Sequence, residues 1–397
     1  MAAPTESRSG RSERCRRPRA SLTLGVGRIG LLVDAAVAAS CCLAAGLGLA
    51  SCWSLSEPLP VTQTGAEGGS GATATAGGGG TAGTGGAGGA EPCVPAEPPA
   101  APGSAGGSSA GGWVFAFRTV RFDSGPGDPI GYDLDGTCTC PGPTTCVANV
   151  DAGAHCDGPG GRDNTLGPAL DSTLGLLLPS PAADLFSTAA ETGEWTLLLE
   201  VEQLSTPDDP QVQVVARPAA ACCGGSGPTW NGADPWPADE AIAAVTADEA
   251  YLASDRLVAR FATLEIHLRH LATPLLRISL RMRDAVLTAS LQSSPPPARL
   301  IEGVVTGQVS EADLFWGLES IQSDVYALCR DNQFYSGIKD LICDARDLST
   351  AGSGAPCERA SFALGFTADE VGAGASAAVA PKNGCISGEE PLGDTCD

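Results

Sequence analysis

Apolar and polar positions alternate with a strand's two-residue period over long stretches of this chain. In Leu275–Leu291, Leu276, Ile278, Leu280 and Met282 fall on one face and Arg277, Ser279, Arg281 and Arg283 on the other, as in an antiparallel strand with one face in the core and one in water. Arg256–Leu271 and Ala298–Val309 carry comparable runs, and Trp113–Phe122 is rich in aromatic and β-branched residues. Glu194–Glu202 and Gln211–Val215 read as strands around the turn-like Thr206–Pro210, and Glu358–Phe366 as a last strand. Near the end the period changes. Ser310-Glu-Ala-Asp313 has the form of a capping box, and Leu314, Leu318, Ile321, Val325 and Leu328 follow at helical spacing. Phe334–Leu348 repeats the stripe with Ile338, Leu341, Ile342 and Ala345. The pattern predicts a mostly β domain over 113–372, an antiparallel sandwich or strongly curved sheet with two helices at about 311–350 packed against it.

The N-terminal third has a different grammar. Seven arginines against three acids give residues 1–51 a net charge of +4. An apolar run, Ala35–Ala50, then ends in Leu49-Ala50-Ser51-Cys52. A basic head, a short apolar core and a small-residue site make an export leader, and the last four residues resemble the lipobox of bacterial lipoproteins. That resemblance implies a leader over 1–51, lipidation of Cys52, and attachment to the cell envelope, at the outer membrane or cell surface. An uncleaved anchor from Leu31 to Ala50 and plain secretion are the other readings. Residues 52–112 are then the lipidated cysteine and a tether of Gly, Ala, Thr and Pro that buries too little to fold. As a flexible coil of about 60 residues it would reach roughly 40–45 Å. Residues 373–397 read as a flexible tail carrying cysteines.

Composition narrows the partners. The net charge of -23, with 46 acidic and 23 basic residues, excludes nonspecific attraction to nucleic acid or to anionic lipid headgroups. Sixteen cysteines suit an oxidising compartment. Setting aside Cys15, Cys41, Cys42 and Cys52 leaves twelve, an even number that suits six disulfides. Cys138, Cys140, Cys146 and Cys156 also raise zinc, but their spacing fits no common zinc module.

Candidate chemistry centres on acids. Asp133-Leu-Asp135-Gly-Thr resembles the nucleophile motif of haloacid-dehalogenase-like phosphatases, which ends a buried parallel strand. Here turn-forming residues surround it, no βα alternation follows, and only two lysines exist, Lys339 and Lys382. Asp133, Asp135, Asp157 and Asp163 make a better calcium loop, since calcium takes several hard oxygens in adaptable geometry. The alternative is an Asp/Asn-rich turn region held by its cysteines. Trp230 and Trp236, in Trp230-Asn-Gly-Ala-Asp-Pro-Trp236, are candidates for stacking on a sugar ring or for plugging the end of the sheet. His267 and His270, at odd separation on one strand, face opposite sides and cannot share a metal. No nucleophile elbow, HExxH, Walker loop or dinucleotide fingerprint is present.

The order GYDLDG (131–136), GGRDN (160–164), WTLLLEVEQL (195–204), PTWNGADPWP (228–237) and LGFTADEVG (364–372) resembles a group of uncharacterised secreted proteins of myxobacteria. These often carry a Thr/Gly/Ala tether behind a lipobox. The resemblance implies an exported protein and assigns no activity. Two functions stand as expectations. The first is a monomeric, non-catalytic surface lipoprotein that binds a glycan or envelope protein. The second is an extracytoplasmic metal-dependent hydrolase using Asp133, Asp135 and Asp163.

Overall fold

A computed structural model describes residues 94–104, 106–122, 130–139, 146–147, 155–177, 180–272, 275–323, 327–352, 354–379 and 384–396. The leader, Cys52, most of the tether, Cys93 and Cys140 lie outside the described residues. The chain divides into two units, 1–85 and 86–397, and the description below concerns the second.

One antiparallel sheet dominates. Its long strands are β1 (Gly106–Arg121), β2 (Leu197–Asp208), β3 (Gln213–Pro218), β7 (Arg256–His270), β8 (Leu276–Gln292), β9 (Arg299–Ser310) and β12 (Arg359–Ala373). Short strands β4 (Pro235–Trp236), β5 (Val245–Thr246), β6 (Glu249–Ala253), β10 (Gln322–Ser323) and β11 (Arg346–Leu348) complete it. The order is β5-β3-β2-β1-β12-β9-β8-β7-β6, with β10 on β8 and both β4 and β11 on β12. β5 pairs with β3 and β6 with β7. Yet Val212 N also donates to Ala250 O, and Asp209 and Leu252 exchange both backbone bonds. The sheet therefore curls into a half-barrel whose two edges are both held by segment 245–253.

Four helices are described: α1 (Leu166–Leu177), α2 (Ala182–Glu191), α3 (Glu311–Ser320) and α4 (Tyr335–Asp344). α2 packs on both β1 and β7, four strands apart in the sheet, so it lies inside the curl. α1 packs on β12 and α4, and α3 on β8. The inward residues of the strands (Phe115, Phe117, Phe261, Leu287, Phe362) join Leu166, Leu170, Phe186 and Phe315 of the helices in one core. Burying each such side chain contributes about 1.5–3 kcal/mol. No described helix is long and apolar enough to cross a membrane.

The alternation in β8 is realised: Leu276, Ile278, Leu280 and Met282 are buried. Ser310 caps α3, accepting from Asp313 N at 3.3 Å. Three expectations change. Two further helices, α1 and α2, precede β2. β1 starts at Gly106, inside the expected tether, because backbone pairing of Gly106, Gly107, Ser108 and Ser109 with 205–208 needs no side chains. Ala96 also bonds Gly160 O and Asp133 N. The expected flexible tail is stapled instead, by Cys329–Cys385 and Cys343–Cys396, with Asp394 accepting from Tyr335 Oη and Lys339 Nζ.

Candidate functional site

The acidic loop is built at a crossing of two chain segments. Asp163 N donates to Tyr132 O at 3.1 Å, and Asp133 N to Ala96 O at 3.0 Å. Gly131 sits at φ 113°, and a Cβ there would lie 2.8 Å from Asp163 O; only glycine permits both the conformation and the approach. Each aspartate then spends an oxygen on the turn. Asp133 Oδ1 accepts from Asp135 N (3.2 Å) and Gly136 N (2.7 Å). Asp135 Oδ1 accepts from Thr137 N (2.8 Å), and Asp163 Oδ2 from Leu134 N (2.7 Å). These bonds bring one carboxylate oxygen from each of Asp133, Asp135 and Asp163 within 4.8 Å of one another.

The electrostatics of the cluster are adverse. Asp133 Oδ2 is buried with no hydrogen-bond partner. Asp163 is 2% exposed, and burial raises its pKa to about 9. The Leu134 N–H opposes the rise, and the charges of Asp347, Asp157 and Asp135 add to it. Burial likewise lifts Asp347 to about 6, against hydrogen bonds from Ser361 and Thr165. Such a group needs a proton or a cation beside it.

Asp157 leaves the expected ligand set. Its oxygens accept from Thr139 N (2.6 Å) and Thr139 Oγ1 (2.5 Å), so it braces a neighbouring turn, and its influence on Asp163 acts through charge alone. The phosphatase-like motif lies in this irregular loop and ends no parallel strand.

The tryptophans also separate. Trp236 is 0% exposed, in a small cluster with Ala116, Leu198, Ala219, Cys222 and Val371, so it offers no face to a ligand. Trp230 is half-buried, 5.9 Å from Trp236 between ring centroids, with Arg118 5.2 Å over its ring. Asp234 organises the loop between them, accepting from Thr229 N and Trp230 N. Plugging a face of the sheet is what Trp236 does.

The ten cysteines among the described residues are all disulfide-bonded, which removes zinc from Cys138, Cys146 and Cys156. Cys146–Cys357 and the adjacent pair Cys222–Cys223 join the two C-terminal staples.

A second site was not anticipated. On the polar face of the β7–β8 hairpin, Glu265 lies opposite Arg281, His267 opposite Ser279, and Arg269 opposite Arg277. The first pair is a salt bridge at 2.7 Å. In the second, His267 Nδ1 lies 2.8 Å from Ser279 Oγ and Nε2 3.3 Å from Glu265 Oε2. These bonds and the Arg281 guanidinium hold Glu265 below the usual carboxylate range. The third pair places two arginines opposite each other in register. Trp316 of α3, with Arg281 4.1 Å over its ring, walls the space above them. The resulting cavity is about 250 Å³ and also touches Asp239, Ile242, Ser320 and Val379.

Comparison with protein-family models, with curated proteins and with solved structures finds no match to this chain.

Proposed function

We propose that the chain is an exported envelope lipoprotein, anchored through Cys52, whose β domain is a monomeric, non-catalytic module that binds a glycan or envelope protein and carries a structural calcium ion at Asp133, Asp135 and Asp163. The observation that carries the non-catalytic reading is the use of these carboxylates. Asp133 and Asp135 each give an oxygen to a backbone N–H of their own turn, and Asp163 gives one to Leu134 N of that same turn, the work of a structural loop. A hydrolase would hold them open to a substrate cavity. The fit to calcium rests on the buried, partnerless Asp133 Oδ2 facing two further carboxylates. A divalent cation would offset that repulsion and tie segment 131–136 to 163. Full disulfide bonding among the described cysteines supports export.

The hydrolase reading has one feature in its favour, the raised pKa of Asp163, which suits a general acid. Its 2% exposure keeps substrate away. Two experiments test the proposal. Intact-mass analysis of the mature protein should give an acylated N-terminus at Cys52, and Cys52→Ala should leave the membrane fraction. An unmodified start elsewhere overturns the anchor. Ester or phosphoester turnover that Asp163→Asn abolishes overturns the non-catalytic reading.

A further inference from the structure

Four disulfides join pairs of described residues, and three of them span long stretches of chain. Cys146–Cys357, Cys329–Cys385 and Cys343–Cys396 link residues 211, 56 and 53 positions apart. The fourth, Cys222–Cys223, links neighbours. A disulfide stabilises a fold chiefly by restricting the unfolded chain, and closing a loop of about 50 residues favours folding by roughly a thousandfold on that account. A bond between adjacent residues closes no such loop and adds almost nothing of this kind. Linkage runs both ways: the fold keeps the three long pairs closed to the extent that they keep it folded, and it gives the adjacent pair no such protection.

The local backbone is costly instead. Cys223 has φ 68°, in the left-handed region that a residue with a Cβ rarely enters. Cys222 is 4% exposed, in the cluster with Trp236, and its N–H donates to Gly193 O at 2.8 Å, so this half of the pair is fixed against the sheet. Cys223 is the more accessible half, followed by the exposed Gly224 and Ser226. Further along the loop Trp230 has φ 56°, where Asp234 fastens it by accepting from Trp230 N at 2.6 Å and Thr229 N at 2.9 Å. Such positions persist only where their surroundings fix them, and at Cys223 the fixing element is the bond to its neighbour. We propose that Cys222–Cys223 is a thiol–disulfide exchange site for a dithiol, distinct from the long-range staples, and that opening it releases the loop 223–230 leading to Trp230. One thiolate of the dithiol attacks Cys223 Sγ, the bond between the two cysteines breaks, and Cys222 leaves as a thiolate that takes up a proton. The second thiolate then attacks the reagent sulfur in the mixed disulfide, which closes the oxidised reagent and frees Cys223. Two electrons and two protons pass from the dithiol to the pair. Cys223 then relaxes out of the left-handed region and takes the loop with it. The inference goes beyond the envelope-module reading and holds whatever the domain binds.

The test equilibrates the native, purified full chain with dithiothreitol over a range of concentrations, traps free thiols with N-ethylmaleimide and maps them by peptide mass. Cys222 and Cys223 should take label at a concentration at least about tenfold below that needed for Cys146, Cys329 or Cys343, a small part of the loop-closure difference. Glutathione, a monothiol, should need a higher concentration, because the adjacent Cys222 thiolate expels it from the mixed disulfide before a second molecule arrives. Amide exchange at Thr229 and Trp230 should quicken at least about tenfold once the pair is open. A variant combining Cys222→Ala with Cys223→Gly, in which glycine takes the left-handed conformation freely, should melt within about 4 °C of the parent, and its exchange at Trp230 should no longer respond to dithiol. Labelling of the long pairs before or together with Cys222 and Cys223, equal opening by glutathione, or unchanged exchange at Trp230 after opening overturns the proposal.

Discussion

Asp163 makes the cation reading quantitative. An unfolded aspartate titrates near 3.9, whereas the native Asp163 carboxyl titrates at about 9. Between these values the native state holds a proton that the unfolded chain has released. Stability without a cation therefore falls as pH rises across that window, by at most about 1.4 kcal/mol per pH unit. The contribution is fully present below pH 4 and gone above about 9. Asp347, at about 6, adds a loss of the same sign between about pH 4 and 6. The carboxylates with lowered values, Asp234, Glu265, Asp313, Glu358 and Asp394, lose their stabilisation only as pH falls below the usual carboxylate range, so they do not offset it.

Calcium requires the carboxylates ionised and so competes with that proton. At pH 5, melts with calcium and with chelator should nearly coincide. At pH 8, calcium at a hundredfold excess over its dissociation constant should add about 2.7 kcal/mol, a shift on the order of 5 °C for a unit of this size. Asp163→Asn keeps an acceptor for the Leu134 N–H but removes the titration. Its melting temperature should lose the extra pH dependence of the parent between pH 5 and 8, along with the calcium response. The assay is thermal unfolding by circular dichroism over pH, with and without calcium. A parent melt at pH 8 that ignores chelator refutes the cation site. Equal pH slopes in parent and Asp163→Asn refute the buried-proton argument.

Two further perturbations probe the scaffold. Asp313, 2% exposed, receives the Arg283 fork at 2.9 and 3.0 Å and caps with Ser310. Asp313→Ala should cost about 2 kcal/mol in urea unfolding, less than the 3–5 kcal/mol of a fully buried pair because Arg283 keeps contact with water; a double-mutant cycle with Arg283→Ala that shows no coupling would remove the pair from the account. At Gly303 of β9 a Cβ would lie 2.6 Å from the Phe366 ring, which stacks on Phe117 at 4.0 Å. Gly303→Ala should cost about 1–3 kcal/mol through overpacking, and Phe366→Leu should relieve part of it in the double variant.

The parts of the fold legible in the sequence are those where side-chain period reports burial. β7, β8 and β9 match the runs Arg256–Leu271, Leu275–Leu291 and Ala298–Val309 to within a residue or two. The parts that escaped obey other forces. β1 gains its first residues through backbone pairing in a Gly/Ser stretch, which leaves no apolar pattern. α1 did carry a stripe, Leu166, Leu170 and Leu174, all buried, but Gly167, Pro168 and Gly175 mask it; a proline in the first turn costs little, since its missing N–H would have no helical partner. The stripe Leu314–Leu328 overstated α3, which ends at Ser320. Beyond Arg283, β8 has no β9 partner, and its open edge captures Gln322 and Ser323 as β10. Ser279 N, in turn, donates to Ser320 Oγ at 2.6 Å.

For the candidate sites the missing coordinate was register rather than composition. Asp133 and Asp135 announced a turn through their spacing before Gly136, but what brings Asp163 to them and leaves Asp157 on Thr139 is a chain crossing over Gly131. The polar face of β8 was readable as Arg277, Ser279, Arg281 and Arg283, and the period of β7 places Glu265, His267 and Arg269 together on one face. A strand pattern states which side of the sheet a residue occupies, and function depends on what lies across from it. The short connection between β7 and β8 sets that pairing, and one register aligns acid with base, imidazole with hydroxyl, and arginine with arginine. The first two alignments satisfy themselves within the sheet. The third draws on a group from outside the hairpin, Asp239, which accepts from Arg269 Nη2 at 2.8 Å, so the register of two strands alone does not account for it.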